Sequence, residues 1–387
     1  MLYRRFGRTE LSVPVFSLGG MRFQESWNRG ATFSAESQRH LEATLDRGMA
    51  LGINHIETAR GYGTSEAQLG VALAHHPRSA FLLQTKLAPR EDPNVFEAQL
   101  EEAFQLLNIK TIDLFSFHGI NNEALLEKTL NRCLVVAERF RARGRIRTIG
   151  FSTHAPTLTI LKAIESRRFD YVNLHYYYLF QDNLPAVRAA KKHDLGLFII
   201  SPSDKGGRLY KASPKLTALC APLSPMVMND LWCLAHPEIN TLSLGAARPT
   251  DFDEHLTVLP LLSDPAPILS PIVERLEKAF RDALGDAYAK QWFVGLRDFN
   301  EMPGKINVRR ILWLRNLVLA YGLLDFAQER YMAMSPEDVW VPGARAEMVE
   351  DEAIAKALPD SPYRYQIAAW LREAHTMLFN SEVKPLP

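Results

Sequence analysis

The sequence predicts an α/β chain: a (β/α)8 TIM barrel over residues 1–262 that opens on an N-terminal β-hairpin, then a C-terminal α-helical appendage over 263–387. Three observations carry this. Eight short β-branched runs alternate with helical patterns between about residue 10 and residue 262, the signature of such a barrel. The first run ends Leu18-Gly19-Gly20-Met21 without a G-x-G-x-x-G fingerprint, which argues against an open doubly wound sheet. Beyond Leu262 the texture changes to Ser-Asp-Pro-Ala-Pro and then to long helical periodicities.

In chain order, two short extended runs flank Gly7-Arg8-Thr9 and read as a hairpin, which in a barrel plugs the bottom. The barrel strands are expected at 15–18, 53–57, 81–85, 112–116, 146–151, 171–174, 197–201 and 241–244. Between them, segments such as Leu126, Leu130, Cys133, Leu134 and Ala137 keep an apolar face at helical spacing, and Gly48, Gly52, Gly144 and Gly196 mark turns. A Pro-rich joint near 263–271 leads into helices carried by Ile272, Leu276 and Phe280, by Ile311, Leu314 and Val318, and by Ile367 and Leu371.

Composition bounds the function. Of 387 residues, 47% are hydrophobic and 23% charged, an ordinary globular balance that excludes wholesale disorder. Lys+Arg number 45 against 44 Asp+Glu, so there is no basic excess of the kind a nucleic-acid or anionic-membrane binder shows. Cys133, Cys220 and Cys233 form no C-x-x-C pair, which fits a reduced, cytoplasmic compartment. The basic residues near Met1 have no apolar stretch behind them, so no secretory signal is expected. The longest apolar stretch, from Ile311 to Leu324, contains Arg315 and Asn316 and is too short to span a bilayer, so a soluble protein is expected.

Catalytic groups of a barrel sit just past the C-terminal strand ends. The second strand ends at Glu57 and leads to Tyr62, the third delivers Lys86, and the fourth delivers His118. Singly, each has an ordinary structural reading; at the ends of three consecutive strands they form a chemical set. An ammonium paired to a carboxylate is expected to draw the phenol pKa from its usual value near 10 toward neutrality. Tyr62 can then give its proton to a carbonyl oxygen as hydride reaches carbon, with His118 orienting that carbonyl.

These residues lie in segments that resemble the aldo-keto reductase family. Tyr3-Arg4-Arg5-Phe6-Gly7-Arg8-Thr9, Ser17-Leu18-Gly19-Gly20-Met21-Arg22-Phe23 and Gly52-Ile53-Asn54-His55-Ile56-Glu57-Thr58-Ala59 are similar to its opening and second-strand motif. Asp113-Leu114-Phe115-Ser116-Phe117-His118 and Ile149-Gly150-Phe151-Ser152 are similar to its fourth- and fifth-strand motifs. The resemblance covers about residues 1–262. It implies a barrel that binds NADP(H) without a Rossmann domain and reduces aldehydes or ketones. It implies Tyr62 as general acid, Lys86 as its pKa partner and His118 as substrate orienter. Glu57 stands where the family usually has Asp, and a shifted pH optimum is expected from the added methylene.

For the cofactor, Ser152, His154 and Asn173, with His175, are placed to bond the nicotinamide amide. The turn through Ser201, Pro202, Asp204, Lys205, Gly206, Gly207 and Leu209 suits a pyrophosphate, with backbone amides and flanking cations. The resemblance puts the adenosine end at Gly245, Ala247, Arg248, Asp251 and Glu254, with Arg248 toward a 2′-phosphate; the acids nearby leave NAD(H) as an alternative. Met21, Arg22, Trp27 and Tyr177 are the expected substrate-pocket residues, and among Tyr176, Tyr177 and Tyr178 either stacking on nicotinamide or walling the pocket stays open.

The appendage is similar to the helical module of a bacterial subgroup that carries a 4Fe–4S cluster, through Met302-Pro303-Gly304-Lys305-Ile306-Asn307-Val308 and Leu319-Ala320-Tyr321-Gly322. No cysteine follows Cys233, so no cysteine-ligated iron–sulfur cluster is expected there. The expected partner is a small-molecule carbonyl compound, with no nucleic acid, no membrane and no metal; the oligomeric state is not legible. Two other functions stay open: a nucleotide-binding barrel of weak turnover acting as a sensor or subunit, and a metal-dependent hydrolase using His118, His154 and His175.

Overall fold

The computed structural model describes residues 1–383. They form two compact units: Met1–Gly206 with Asn229–Pro265, and Gly207–Met228 with the chain from Ala266 onward.

The first unit opens with β1 (Tyr3–Arg5) and β2 (Ser12–Pro14), paired antiparallel with Arg4 opposite Val13. Eight strands follow: β3 (Phe16–Gly19), β4 (His55–Glu57), β5 (Leu82–Leu87), β6 (Ile112–Phe117), β7 (Ile146–Ser152), β8 (Tyr171–Leu174), β9 (Gly196–Ile199) and β10 (Thr241–Leu244). They close in the order β10-β3-β4-β5-β6-β7-β8-β9, every neighbour parallel. This is the (β/α)8 barrel that the alternation predicts. Parallel strands covered on both faces read as continuous apolar runs, and β6 is buried along its whole length.

The intervening helices include α1 (Ala35–Ala50), α2 (Ser65–Leu73), α3 (Pro93–Leu106), α4 (Glu123–Lys128), α5 (Leu134–Ala142), α6 (Thr157–Glu165) and α7 (Leu184–Lys192). Ser34, Asp92 and Asn122 cap α1, α3 and α4 by accepting from amides two or three residues on. The apolar spacing around Leu130 predicts one helix, but α4 and α5 are separated by a π turn, Thr129–Cys133. There the Thr129 hydroxyl donates to the Leu125 carbonyl at 2.7 Å, a side-chain bond that competes with the backbone ladder.

The hairpin does close the bottom. Phe6, Leu11 and Val13 pack with Leu114, Tyr171 and Phe198 as one buried cluster. Gly196 makes room for this, since a Cβ there would stand 2.7 Å from the Phe6 ring. Above the plug, a polar belt crosses the barrel interior. Thr241 Oγ1 and Ser17 Oγ are 2.6 Å apart, Ser17 Oγ and His55 Nδ1 2.7 Å, and His55 Nε2 and Gln84 Oε1 3.0 Å. Gln84 Nε2 then donates to Ser116 Oγ at 3.1 Å, and Ser116 donates to the Tyr171 hydroxyl at 2.8 Å. Because the Gln84 amide nitrogen is used on Ser116, its oxygen faces His55, which fixes the imidazole proton on Nε2.

In the second unit, helices Ala266–Leu284, Val308–Tyr321, Leu324–Ala333 and Ile367–Leu378 bury Ile272, Leu276, Ile311, Leu314 and Leu371. The sequence pattern places 207–228 in the barrel; the structure groups it here instead. Ser213 Oγ donates to the Tyr321 carbonyl at 2.5 Å, Lys215 to that of Leu319 at 3.0 Å, and Arg275 to that of Leu219 at 3.1 Å. The Pro-rich joint is shorter than expected, because the helix starts at Ala266 and runs through Pro271. No single helix among the described residues is long and apolar enough to cross a membrane.

Candidate active site

Parallel register brings three strand ends to one level. Glu57 closes β4 opposite Gln84, and Lys86 lies two residues further along β5, opposite Ser116 of β6. Past β4 the chain keeps bonding to β5, with the Thr58 and Arg60 amides donating to the Gln84 and Lys86 carbonyls at 2.8 Å each. A tight turn, Tyr62 N–H to the Ala59 carbonyl at 2.9 Å, then lifts Tyr62 over the mouth. His118 follows β6 directly, its amide on the Leu87 carbonyl at 2.9 Å.

The side chains converge. Glu57 and Lys86, 3% and 1% exposed, form a buried ion pair, so the added methylene of Glu57 does not keep it from the ammonium. Lys86 Nζ also donates to the Thr58 carbonyl at 2.9 Å and lies over the Tyr62 ring, 4.7 Å from its centroid. The Tyr62 and His118 rings meet edge to face at 5.6 Å.

The electrostatics differ from the expectation. Burial pushes the Tyr62 phenol above its ordinary value instead of toward neutrality. Lys86 does not offset this: its charge is matched by Glu57, and burial pushes its own pKa well down. Tyr62 therefore keeps its proton, as a general acid must. His118 is pushed down to about 3, by burial and then by the Lys86 charge, so it stands as neutral imidazole.

On one flank of the mouth, the loop after β3 is pinned across the Tyr62 turn. The Glu25 amide donates to Thr64 Oγ1 and to Gln68 Oε1 at 3.1 Å each, and the Thr64 amide to the Ser26 carbonyl at 3.0 Å. This places Trp27, half exposed, and Arg29 at the rim of a cavity of about 150 Å³ that Arg60, Gly61, Leu87, Ala88, Arg90 and His118 complete. The other expected pocket residues lie elsewhere. Met21 is exposed, and Arg22 lies against Gly245, where a Cβ would stand 3.3 Å from its Nε. Tyr177 is fully buried, its hydroxyl donating to the Ile200 carbonyl and meeting His175, and it is not among the residues that line this cavity.

On the opposite flank, Ser152 is opposite Asn173 in the ladder, and its hydroxyl accepts from the Gly119 amide at 3.1 Å. Both polar atoms of the Asn173 amide are buried without a protein partner, an arrangement that a ligand carboxamide, one donor and one acceptor, satisfies. His154 and His175 bond to each other at 2.6 Å, and Lys205 Nζ lies 3.4 Å from His154. Ser201 takes a positive φ, 52°, and its carbonyl accepts from the Lys205 amide at 3.0 Å, shaping the turn that holds Pro202, Asp204 and Gly206. Gly207 and Leu209 fall in the second unit. Past β10, Asp251 accepts from the Ala247 and Arg248 amides at 2.9 and 3.0 Å. Both amides are thus already capped. Arg248 is exposed, its Nε 3.0 Å from Asp251, and Glu254 is exposed one turn on.

Arg29, Arg60 and Arg90 have no place in the sequence-based expectation; for Arg60 the available signal is its position directly before the Gly61-Tyr62 turn. Among the described residues, no three His, Cys, Asp or Glu side chains gather as a metal site.

The Aldo/keto reductase family matches residues 16–222. L-galactose dehydrogenase of Arabidopsis thaliana is 22% identical over 286 residues, 66% of this chain and 87% of that protein. Among solved structures, the holo form of an aldo-keto reductase from Bacillus halodurans is similar with a TM-score of 0.60 at 19% identity, over 71% of this chain and 96% of that one. An aldo-keto reductase from Klebsiella pneumoniae in complex with NADPH has a TM-score of 0.54 at 21% identity, over 67% and 90% of the two chains.

Proposed function

Since the chain belongs to the Aldo/keto reductase family of oxidoreductases, we propose that it reduces an aldehyde or ketone to the alcohol at the expense of NADPH. The observation that carries this reading is the convergence of Tyr62, Lys86 and His118 at one mouth beside the unsatisfied amide of Asn173.

When bound, the nicotinamide supplies hydride to the carbonyl carbon. Asn173 and Ser152 would hold its carboxamide, with His154 beside them; Ser201, Pro202, Asp204, Lys205, Gly206, Gly207 and Leu209 are assigned the pyrophosphate. Gly245, Ala247, Arg248, Asp251 and Glu254 are assigned the adenosine end. Tyr62 donates its proton to the carbonyl oxygen as negative charge develops there, which requires that the phenol be protonated at rest. Neutral His118 donates a hydrogen bond to the same oxygen and fixes the carbonyl against Tyr62. Lys86, held by Glu57 and the Thr58 carbonyl, stabilises the phenolate left behind. In this reading the helical unit is a structural extension of the kind the bacterial subgroup carries, without the cluster.

The test is NADPH oxidation against a panel of simple aldehydes, with L-galactose and NAD(P)⁺ as the reverse-direction arm because of the Arabidopsis relative. Tyr62→Phe should lower kcat by at least about 10² while NADPH binding stays within a few-fold. Wild-type turnover in that variant removes Tyr62 from the role of acid.

A further inference from the structure

The cavity beside His118 has an unusual wall for a site that takes a neutral carbonyl compound. Three arginines, Arg29, Arg60 and Arg90, line about 150 Å³ together with Trp27, Leu87 and His118. A cavity of about this size accommodates one benzene ring.

The charge of one arginine is cancelled locally and that of the other two is not. Arg60, 4% exposed, is neutralised by Glu66 at 3.0 Å and by Glu102, and Glu66 also accepts from Thr85 at 2.7 Å. Arg90 has only an uncharged side-chain partner, Gln99 Oε1 at 2.9 Å from its Nε. The acid next to it, Glu91, is taken by Lys128 at 2.6 Å. Arg29 makes no ion pair among the described residues. Two arginines without a carboxylate partner therefore line one small cavity, and a guanidinium is the side chain best matched to carboxylate and phosphate oxygens.

The backbone that carries them is anchored. The amide and carbonyl of Arg90 are both bonded to Cys133 Sγ at 3.2 Å, which anchors the loop after β5. Arg29 extends the loop clamped over the Tyr62 turn through Ser26 and Thr64. His118 belongs to both places: its ring meets Tyr62 edge to face and lines the cavity. A carbonyl held between Tyr62 and His118 thus has its substituent directed among the arginines. Burial keeps His118 uncharged, so the positive charge of the cavity is that of the guanidiniums.

Resting on the reductase reading above, we infer that the substrate is a small anionic carbonyl compound, whose carboxylate or phosphate is held by Arg29 and Arg90 while its carbonyl faces Tyr62 and His118.

Matched pairs of probes test this on the full chain: 4-carboxybenzaldehyde against 4-methylbenzaldehyde, and glycolaldehyde phosphate against glycolaldehyde. Binding is followed by calorimetry on the NADP⁺-loaded protein, and turnover by NADPH oxidation. At least one anionic probe should bind about 10- to 100-fold more tightly than its neutral partner, the worth of a charge-assisted contact. The preference should fall as salt is raised, collapse toward unity in the Arg29→Gln/Arg90→Gln double variant, and survive in part in Arg29→Lys, which keeps the charge. Whichever pair shows the preference distinguishes carboxylate from phosphate. Preferential binding without turnover of any probe leaves the anion site standing and sinks the reductase reading alone. Equal binding within both pairs overturns the inference, whether or not the aldehydes are reduced.

Discussion

Gly63 lies against the backbone of Ser26: a Cβ on Gly63 would stand 1.9 Å from the Ser26 carbonyl oxygen, and that same oxygen accepts the Thr64 amide at 3.0 Å. The turn that presents Tyr62 and the loop that carries Trp27 and Arg29 are therefore one assembly. The φ of Gly63 is +53°, so only a residue without a side chain satisfies both the angle and the approach.

Gly63→Ala is expected to destabilise the protein by at least about 1 kcal/mol, because the obstacle is backbone and cannot rotate away. The displaced loop should also raise KM more than it lowers kcat. A thermal-melt comparison with steady-state kinetics checks both; an unchanged Tm would show that the loop yields without cost.

Position 57 tests the ion pair. Glu57→Asp should keep or raise activity, since it preserves the charge facing Lys86. Glu57→Gln leaves a buried ammonium without its counter-charge, and activity should fall by about tenfold or more. Removing one partner of a buried pair costs up to about 3–5 kcal/mol, less at alkaline pH, where Lys86, already pushed down by burial, is neutral. Equal rates for all three proteins would separate position 57 from the chemistry.

If Arg248 takes the 2′-phosphate as proposed, Asp251 competes with the cofactor for it. Arg248→Ala should weaken NADPH by roughly 10- to 100-fold and leave NADH almost untouched. Asp251→Asn, which removes the carboxylate now paired with the guanidinium at 2.9 Å, should strengthen NADPH several-fold. Fluorescence titration with both cofactors decides; equal weakening of NADPH and NADH by Arg248→Ala assigns the arginine to a part that the two share.

Acid stability follows from His55, which is fully buried and pushed down to about 4. The unfolded chain takes up this proton below about pH 6.5 and the folded chain does not, so stability present above that pH is lost as pH falls toward 4. The slope is about 1.4 kcal/mol per pH unit for one proton. His118, pushed down to about 3, adds in the same direction. Urea unfolding from pH 7 to pH 4.5 should show a slope shallower by one proton in His55→Gln than in the wild type; identical slopes exclude His55 as the source.

Alternation of β-branched runs with helical faces made the barrel readable, and the rule that chemistry follows strand ends located Tyr62, Lys86 and His118. Three things escaped because each depends on where a loop turns. The hydrogen bond of Lys86 goes to a backbone carbonyl, which has no sequence signature. Arg29 and Arg90 meet at one cavity from loops that are about 60 residues apart in the chain. Asp251 caps the segment holding Arg248, and a carboxylate three residues on is as ordinary in a cap as in a ribose site.

The belt from Thr241 to Tyr171 gives the barrel a sense of rotation. With the His55 proton on Nε2, each donor along the belt points the same way: Thr241 to Ser17, Ser17 to His55, His55 to Gln84, Gln84 to Ser116, and Ser116 to Tyr171. Backbone ladders tolerate a slip of two residues, because the pattern of amides and carbonyls repeats. The belt does not repeat, and a slipped strand would set donor against donor. It works as a combination lock on strand alignment, written in side chains and set across β10, β3, β4, β5, β6 and β8, so the level at which Glu57, Lys86 and His118 emerge is dictated from below the mouth they serve.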